Sequence, residues 1–273
     1  MEIKILGTVS PYCKDNKNCP GYLVTSGENK LLIDCGNGIS RNLNLPGDLE
    51  NMTIIISHLH KDHYGELLSL GYATYVFHNL GYLPEKIKVY IPEADYQRVT
   101  ESYKDTDGWS ASRLIDKPIS DYTFLQEFGQ EHFFEFITYK ERDTLTIGNM
   151  QLDFRKNPHQ INTFSIRVRE KDDTFVYSSD TGFIGNVLEG FAKNADILLC
   201  ESTFLKGQTR IGNNHLYAYE AAKIAKSAEV NKLVLTHFFP EIDKSEYVQE
   251  AVKIFENTEA AEEGKVLKLG GKK

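Results

Sequence analysis

The run His58-Leu59-His60-Lys61-Asp62-His63 constrains this chain more than any other stretch. Three imidazoles and a carboxylate fall within one short segment. The preceding Met52-Thr53-Ile54-Ile55-Ile56-Ser57 is apolar and β-branched, which predicts a buried strand. Gly65 then opens Glu66-Leu67-Leu68-Ser69-Leu70, which predicts a helix start. The cluster therefore falls on a strand-to-helix turn at the carboxyl end of a strand, where open α/β sheets place ligands. Imidazole and carboxylate suit zinc, manganese or iron. Four such side chains cannot all reach one four-coordinate ion that also takes distant ligands, so the spacing points to two adjacent metals. The alternative, a polar surface turn that happens to be rich in histidine, does not account for H-x-H-x-D-H directly after a buried strand.

At 273 residues the chain is long enough to bury a full core as a single α/β domain, and no linker or low-complexity tract interrupts it. No apolar run approaches a membrane span. Met1–Gly7 begins a strand and carries no signal-peptide pattern, so a cytoplasmic location is expected. The formal charge of -8 disfavours long nucleic acids, whose binding comes from neutralised phosphates, but not a small phosphate drawn to a metal-lined pocket. Cys35 and Cys200 read as reduced packing residues. Cys13 and Cys19 share a polar loop; a disulfide, a minor metal site and two unpaired thiols are all compatible with it, the last preferred.

Along the chain, Glu2–Leu6 reads as a first strand, and Tyr22–Val24 with Leu31–Asp34 as a hairpin around Gly27-Glu28-Asn29. Ile87–Ile91 and Phe133–Ile137 read as strands. The stretch between them predicts a helix over Glu93–Lys104, then a long loop or short helical excursion to Gly129. Tyr103, Trp109, Tyr122, Phe124 and Phe128 make the region near 92–140 a candidate lid or subunit contact, or ordinary core. Further strands are expected over Met150–Phe154, Thr163–Val168, Thr174–Asp180, Asp196–Glu201, Leu233–His237 and Val266–Leu269, and helices over Asn186–Lys193, Tyr217–Glu229 and Ser245–Phe255. His159 follows a strand, while Asp180, Glu201 and His237 each terminate one. If those strand ends share an edge, these residues meet the first cluster. His78 and His132 are assigned to structure.

These residues together resemble the metallo-β-lactamase fold superfamily over nearly the whole chain. The match comprises Asp34-Cys35-Gly36, the H-x-H-x-D-H cluster, His159, Ser179-Asp180 and Leu235-Thr236-His237. The resemblance implies an α/β, four-layer αββα sandwich of two mixed sheets with a dinuclear site along one edge. It assigns His58, His60 and His159 to one metal, Asp62, His63 and His237 to the second, and Asp180 to both. The ions would be zinc, with manganese as the alternative.

Within the superfamily the chain looks most like the phosphodiesterase branch related to tRNA 3′-processing endonucleases. Cys200-Glu201-Ser202-Thr203 stands where that branch has His-Glu-Ala-Thr, and His215 stands where it has its proton-donating histidine. Cys200, and Leu216-Tyr217 after His215, depart from the pattern. The endonucleases also carry a long tRNA-binding arm between the residues matching His159 and Asp180, and here a short connection leaves no room for one. The compact arm-less layout is similar to the anti-Pycsar proteins, which degrade cyclic nucleoside monophosphates as homodimers and so counter cyclic-nucleotide antiphage signalling. That resemblance implies a homodimeric metal-dependent phosphodiesterase on small cyclic nucleotides. Its nucleophile is a metal-bridging hydroxide oriented by Asp62, and Glu201 and His215 are its proton-donor pair. An RNase Z-like RNA endonuclease and a lactonase or thioesterase of the same fold are the alternatives.

Overall fold

The computed structural model describes residues 1–270 except 84, 105–109, 119–124, 126, 129–132 and 211, and over 96–104 and 110–118 it describes the backbone alone. Its strands carry nearly continuous apolar runs, and period-two alternation decides which core each residue enters. In β1 (Glu2–Gly7), β2 (Gly21–Ser26) and β3 (Asn29–Ile33), the side chains of Ile3, Ile5, Tyr22, Val24, Leu31 and Ile33 enter one buried cluster. Their neighbours Leu6, Leu23 and Leu32 enter another on the opposite face. The same split recurs in β12 (Asp173–Tyr177), β13 (Ile197–Glu201) and β14 (Lys232–Thr236). Phe175, Tyr177, Leu199 and Val234 point into the shared cluster, and Val176, Leu198, Leu233 and Leu235 point away from it.

Two sheets with both faces buried must be covered by helices, which gives the four layers. The first sheet has β16 (Val266–Lys268) at its edge, then β1, β2, β3, β4 (Met52–Ile55), β5 (Ile87–Pro92) and β8 (Phe134–Tyr139). The second runs from β15 (Thr258–Ala260) through β14, β13, β12, β11 (Phe164–Glu170) and β10 (Met150–Lys156) to β9 (Thr144–Ile147). Both are mixed: β3, β4, β5 and β8 are mutually parallel, as are β12 to β15, and the remaining pairs are antiparallel. α1 (Lys61–Tyr64) and α2 (Leu67–Asn79) lie on the side of the first sheet, where Tyr64, Leu67 and Leu70 join the outer cluster. α3 (Val187–Phe191), α4 (Ala218–Ser227) and α5 (Lys244–Ala251) cover the second sheet through Leu188, Ala221, Ala225 and Tyr247.

Strand direction is what positions the site. β4, β12, β13 and β14 end at one edge of the sandwich, and β10, antiparallel to β11 and so aligned with β12, ends there too. The sheets are tied at this edge: the Phe164 N–H donates to the Ser57 carbonyl at 3.1 Å, and the Tyr22 and Thr236 hydroxyls pair at 2.7 Å.

One expectation is overturned. The segment read as a helix over Glu93–Lys104 contains β6 (Tyr96–Lys104). It pairs antiparallel with β7 (Ser110–Pro118), inside the segment read as loop, in a separate two-stranded sheet. Tyr96, Val99, Thr100 and Tyr103 are β-favouring residues, and a partner strand satisfies the backbone that a helix would otherwise close on itself. β9 and β15 were not read from the sequence either; each is short and sits at a sheet edge. Phe128 packs half-buried against the outer cluster of the first sheet, and the His78 ring stacks on Phe133 at 3.6 Å. Trp109, Tyr122, Phe124 and His132 lie outside the described residues.

Phe175 is fully buried at the centre of the shared core. Phe175→Ala is expected to cost about 3–5 kcal/mol in denaturant unfolding; a loss below about 1 kcal/mol would contradict this packing.

Candidate metal centre

Seven of the sequence-predicted residues converge at the shared strand edge in two groups joined by Asp180. In the first group, the Nδ1 atom of His60 lies 3.1 Å from Nε2 of His58 and 3.2 Å from Nε2 of His159. Asp180 Oδ2 faces His58 Nε2 at 3.5 Å and His159 Nε2 at 3.9 Å. In the second, Nε2 atoms of His63 and His237 are 3.3 Å apart, with Asp62 Oδ2 at 3.6 and 3.7 Å from them. Asp180 Oδ1 faces this group, 3.4 Å from His63 and 3.1 Å from His237. His58, His63, Asp180 and His237 are buried.

Three observations fit this set to cations. Asp180 Oδ1 is buried with no hydrogen-bond partner among the described residues, which is costly for a carboxylate unless a positive centre compensates it. Ligand bonds of about 2.0–2.1 Å in a tetrahedron place donor atoms about 3.3–3.4 Å apart; the facing nitrogens stand 3.1–3.3 Å apart. Finally, the outward ring nitrogens of four histidines have acceptors. His63 Nδ1–H donates to Asp34 Oδ2 at 2.7 Å, His159 Nδ1–H to the Asn214 carbonyl at 2.9 Å, and His237 Nδ1–H to Thr203 Oγ1 at 2.9 Å. His58 Nδ1 faces Ser57 Oγ at 3.1 Å. Each such bond fixes the tautomer that leaves a lone pair pointing inward.

Asp34 anchors this second tier. One oxygen accepts from Ser57 N–H at 2.7 Å; the other accepts from Ser57 Oγ and Tyr177 Oη, each at 2.9 Å, besides His63. Ser10 Oγ donates to Asp62 Oδ2 at 2.7 Å. Asp34, Ser179 and His237 take left-handed φ values of 58°, 52° and 62°. Non-glycine residues there cost roughly 1–3 kcal/mol each, so tertiary bonds must hold these turns.

The electrostatics follow from burial and neighbours. Burial pushes the His60 pKa down to about 4 and also lowers those of His58 and His159, keeping these rings neutral as ligation requires. Burial acts the same way on His63, but Asp180, Asp62 and Asp34 outweigh it and raise its pKa well above the ordinary value. A cation bound there must displace that proton. Burial would raise the Asp180 carboxyl, yet the His237, His63 and His58 rings hold it well below the usual range. Asp62 is likewise held low against burial by His63 and His237.

Glu201 and His215 sit beside the cluster. His215 Nδ1 lies 3.1 Å from Glu201 Oε1 and 3.8 Å from Asp180 Oδ2. Glu201 is buried and also accepts from Thr181 N–H at 3.1 Å and Thr203 Oγ1 at 2.9 Å. Burial lowers the His215 pKa, but the Glu201 carboxylate overcomes it and lifts the ring to about 9. Arg210 fixes the loop from behind, donating to the His215 carbonyl at 3.0 Å and to Glu220 at 2.6 Å.

All nine sequence-predicted site residues thus lie together, and none falls elsewhere. Sequence reading assigned no site role to Ser10, Ser57, Thr203, Tyr177 and Asn214. Thr203 and Asp34 stood inside recognised motifs, whereas Ser10 carried no signal.

The model of the family described as Anti-Pycsar protein Apyc1 matches residues 1–260. The probable metallo-hydrolase YhfI of Bacillus subtilis is 26% identical, over 87% of this chain and 86% of its own length. Ribonuclease Z of Chlamydia muridarum is 30% identical, over 96% and 95%. The crystal structure of the metallo-β-lactamase fold protein YhfI superposes with a TM-score of 0.81 at 23% identity, covering 98% of this chain and 99% of that one. Human tRNase Z, short form, superposes with a TM-score of 0.72 at 18% identity, over 99% and 100%. The fold is thus that of the metallo-β-lactamase superfamily, and the chain is a metal-dependent hydrolase that belongs to the Anti-Pycsar protein Apyc1 family.

Proposed function

We propose that this chain is a phosphodiesterase that hydrolyses cyclic nucleoside monophosphates. In this reading His58, His60 and His159 hold one divalent ion, Asp62, His63 and His237 a second, and Asp180 touches both. Zinc suits the imidazole-rich set, and manganese is the alternative. When bound, such ions lower the pKa of water towards about 7 and polarise phosphoryl oxygens.

The observation that carries the reading is the Glu201–His215 pair beside Asp180. Opening a cyclic phosphodiester expels a ribose alkoxide, which needs a proton. With a pKa near 9, His215 keeps both ring protons at neutral pH. Glu201 accepts from Nδ1–H and holds the ring, which leaves Nε2–H for the departing oxygen. Asp62, held ionised and oriented by Ser10, accepts a proton from the attacking water. A lactone or thioester has less need of such a donor.

The choice of a small diester over tRNA rests on the connection between His159 and Asp180. β11 and β12 fill it as a tight hairpin, which leaves no long insertion between these two residues. The acidic net charge of -8 points the same way. By family likeness the protein works as a homodimer.

Three measurements test this. Incubation with cyclic mononucleotides, cyclic dinucleotides, precursor tRNA, a lactone and a thioester should give chelator-sensitive turnover of the cyclic mononucleotides. Faster cleavage of precursor tRNA would favour the endonuclease reading, and faster lactone or thioester cleavage the third. His215→Ala should retain its metal and lose about 10²–10⁴-fold in rate. Wild-type activity should fall as pH rises through the His215 pKa, and the variant should lack that limb; loss of metal instead would make His215 a ligand. Asp34→Asn should weaken metal affinity about 10–100-fold, read by competition with a coloured chelator. Unchanged affinity would remove Asp34 from the support of His63.

A further inference from the structure

The loop between β1 and β2 holds two thiols that the proposed chemistry does not use. Asp15 and Asn16 take left-handed φ values of 49° and 62°, so the chain reverses tightly and Lys17 N–H bonds back to the Lys14 carbonyl at 2.8 Å. That reversal brings Cys13 and Cys19 alongside each other with their sulfurs 3.8 Å apart. The two thiols differ in surroundings. Cys19 is buried, and its N–H is bound to the Asn37 carbonyl at 3.0 Å. Cys13 is exposed, and its S–H donates to the same carbonyl at 3.0 Å. The other two cysteines, Cys35 and Cys200, are buried in separate clusters on the outer faces of different sheets.

We propose that Cys13 and Cys19 are an oxidation site, a dithiol that hydrogen peroxide closes into a reversible disulfide, and that closure loosens the support of Asp62. The exposed Cys13 thiol reacts first: peroxide converts it to a sulfenic acid and one water leaves. The Cys19 sulfur then attacks the sulfenic sulfur, the S–S bond forms, and a second water leaves. Peroxide takes up the two electrons and both thiol hydrogens. Closing the sulfurs from 3.8 Å to about 2.05 Å requires a shift of about 1.8 Å, which the exposed partner can make and the buried one cannot.

The link to Asp62 follows from what the loop touches. Ser10, three residues before Cys13, donates to Asp62 Oδ2 at 2.7 Å. The Asn37 carbonyl, which loses its Cys13 donor on oxidation, belongs to a residue whose side chain presses on Gly65 just after α1. A Cβ at Gly65 would lie 2.0 Å from Asn37 Oδ1, so there is no slack between this turn and the helix carrying Asp62 and His63.

The test uses the zinc-loaded full chain with and without hydrogen peroxide. The expected result is loss of two of the four thiols, the mass of two hydrogens removed, a proteolytic peptide joining Cys13 to Cys19, and full reversal by dithiothreitol. Cys13→Ser and Cys19→Ser should give no cross-link. Accumulation of sulfinic or sulfonic acid on Cys13 with Cys19 free, four unreacted thiols, or an additional zinc ion held by the pair would overturn the assignment. A chelator should then strip zinc several-fold faster from oxidised than from reduced protein, with no such difference in Cys13→Ser treated alike. Equal rates would overturn the coupling to Asp62.

Discussion

A single buried carboxylate explains why the edge of this sandwich is built as it is. Asp180 is 2% exposed, and its two oxygens face two separate sets of imidazole nitrogens. An ionised carboxyl in such a place is tolerated only when positive charge meets it from both sides. The fold supplies the surroundings through strand direction. β4 and its following turn bring four of the seven clustered residues from the first sheet, while β10, β12 and β14 bring the other three from the second. The apolar core between the sheets fixes their separation, and the Ser57–Phe164 and Tyr22–Thr236 bonds hold the edge in register. Packing in the shared cluster therefore bears directly on chemistry at the rim.

Environment then gives neighbouring histidines opposite characters. All are substantially buried, and burial lowers each of their pKa values where a shift is resolved. His58, His60 and His159 follow that push and stay neutral. His215 does not, because Glu201 stands 3.1 Å from its Nδ1. In the proposed reaction the same ring chemistry thus provides lone pairs in one place and a proton in another. Separating such roles by carboxylate placement is a general means of running acid and base steps in one pocket.

The parts legible in the sequence were those where one residue type has one physical meaning. Short apolar runs such as Ile54-Ile55-Ile56 and Leu198-Leu199-Cys200, each bounded closely by polar residues, read as strands buried on both faces, and the His, Asp and Glu residues just beyond them stand out. The hairpin β6–β7 was not legible, because Glu93–Lys104 mixes charged residues with β-branched ones and so blurs the period-two pattern. The supporting tier was hidden for another reason. Ser10, Ser57 and Thr203 are common residues whose value comes from a neighbour distant in sequence, as Thr203 shows by bridging His237 to Glu201. Asp34 could be seen as part of a motif, but its bonds to His63 and Tyr177 exist only once both sheets have packed.

The proposed chemistry requires that the two groups around Asp180 each hold a cation. Crystals grown with zinc and measured on both sides of the zinc absorption edge test this most directly. Two anomalous peaks about 3.5–4 Å apart, one against each Asp180 oxygen, are expected. A single peak, or a pair lying away from Asp180, would contradict it.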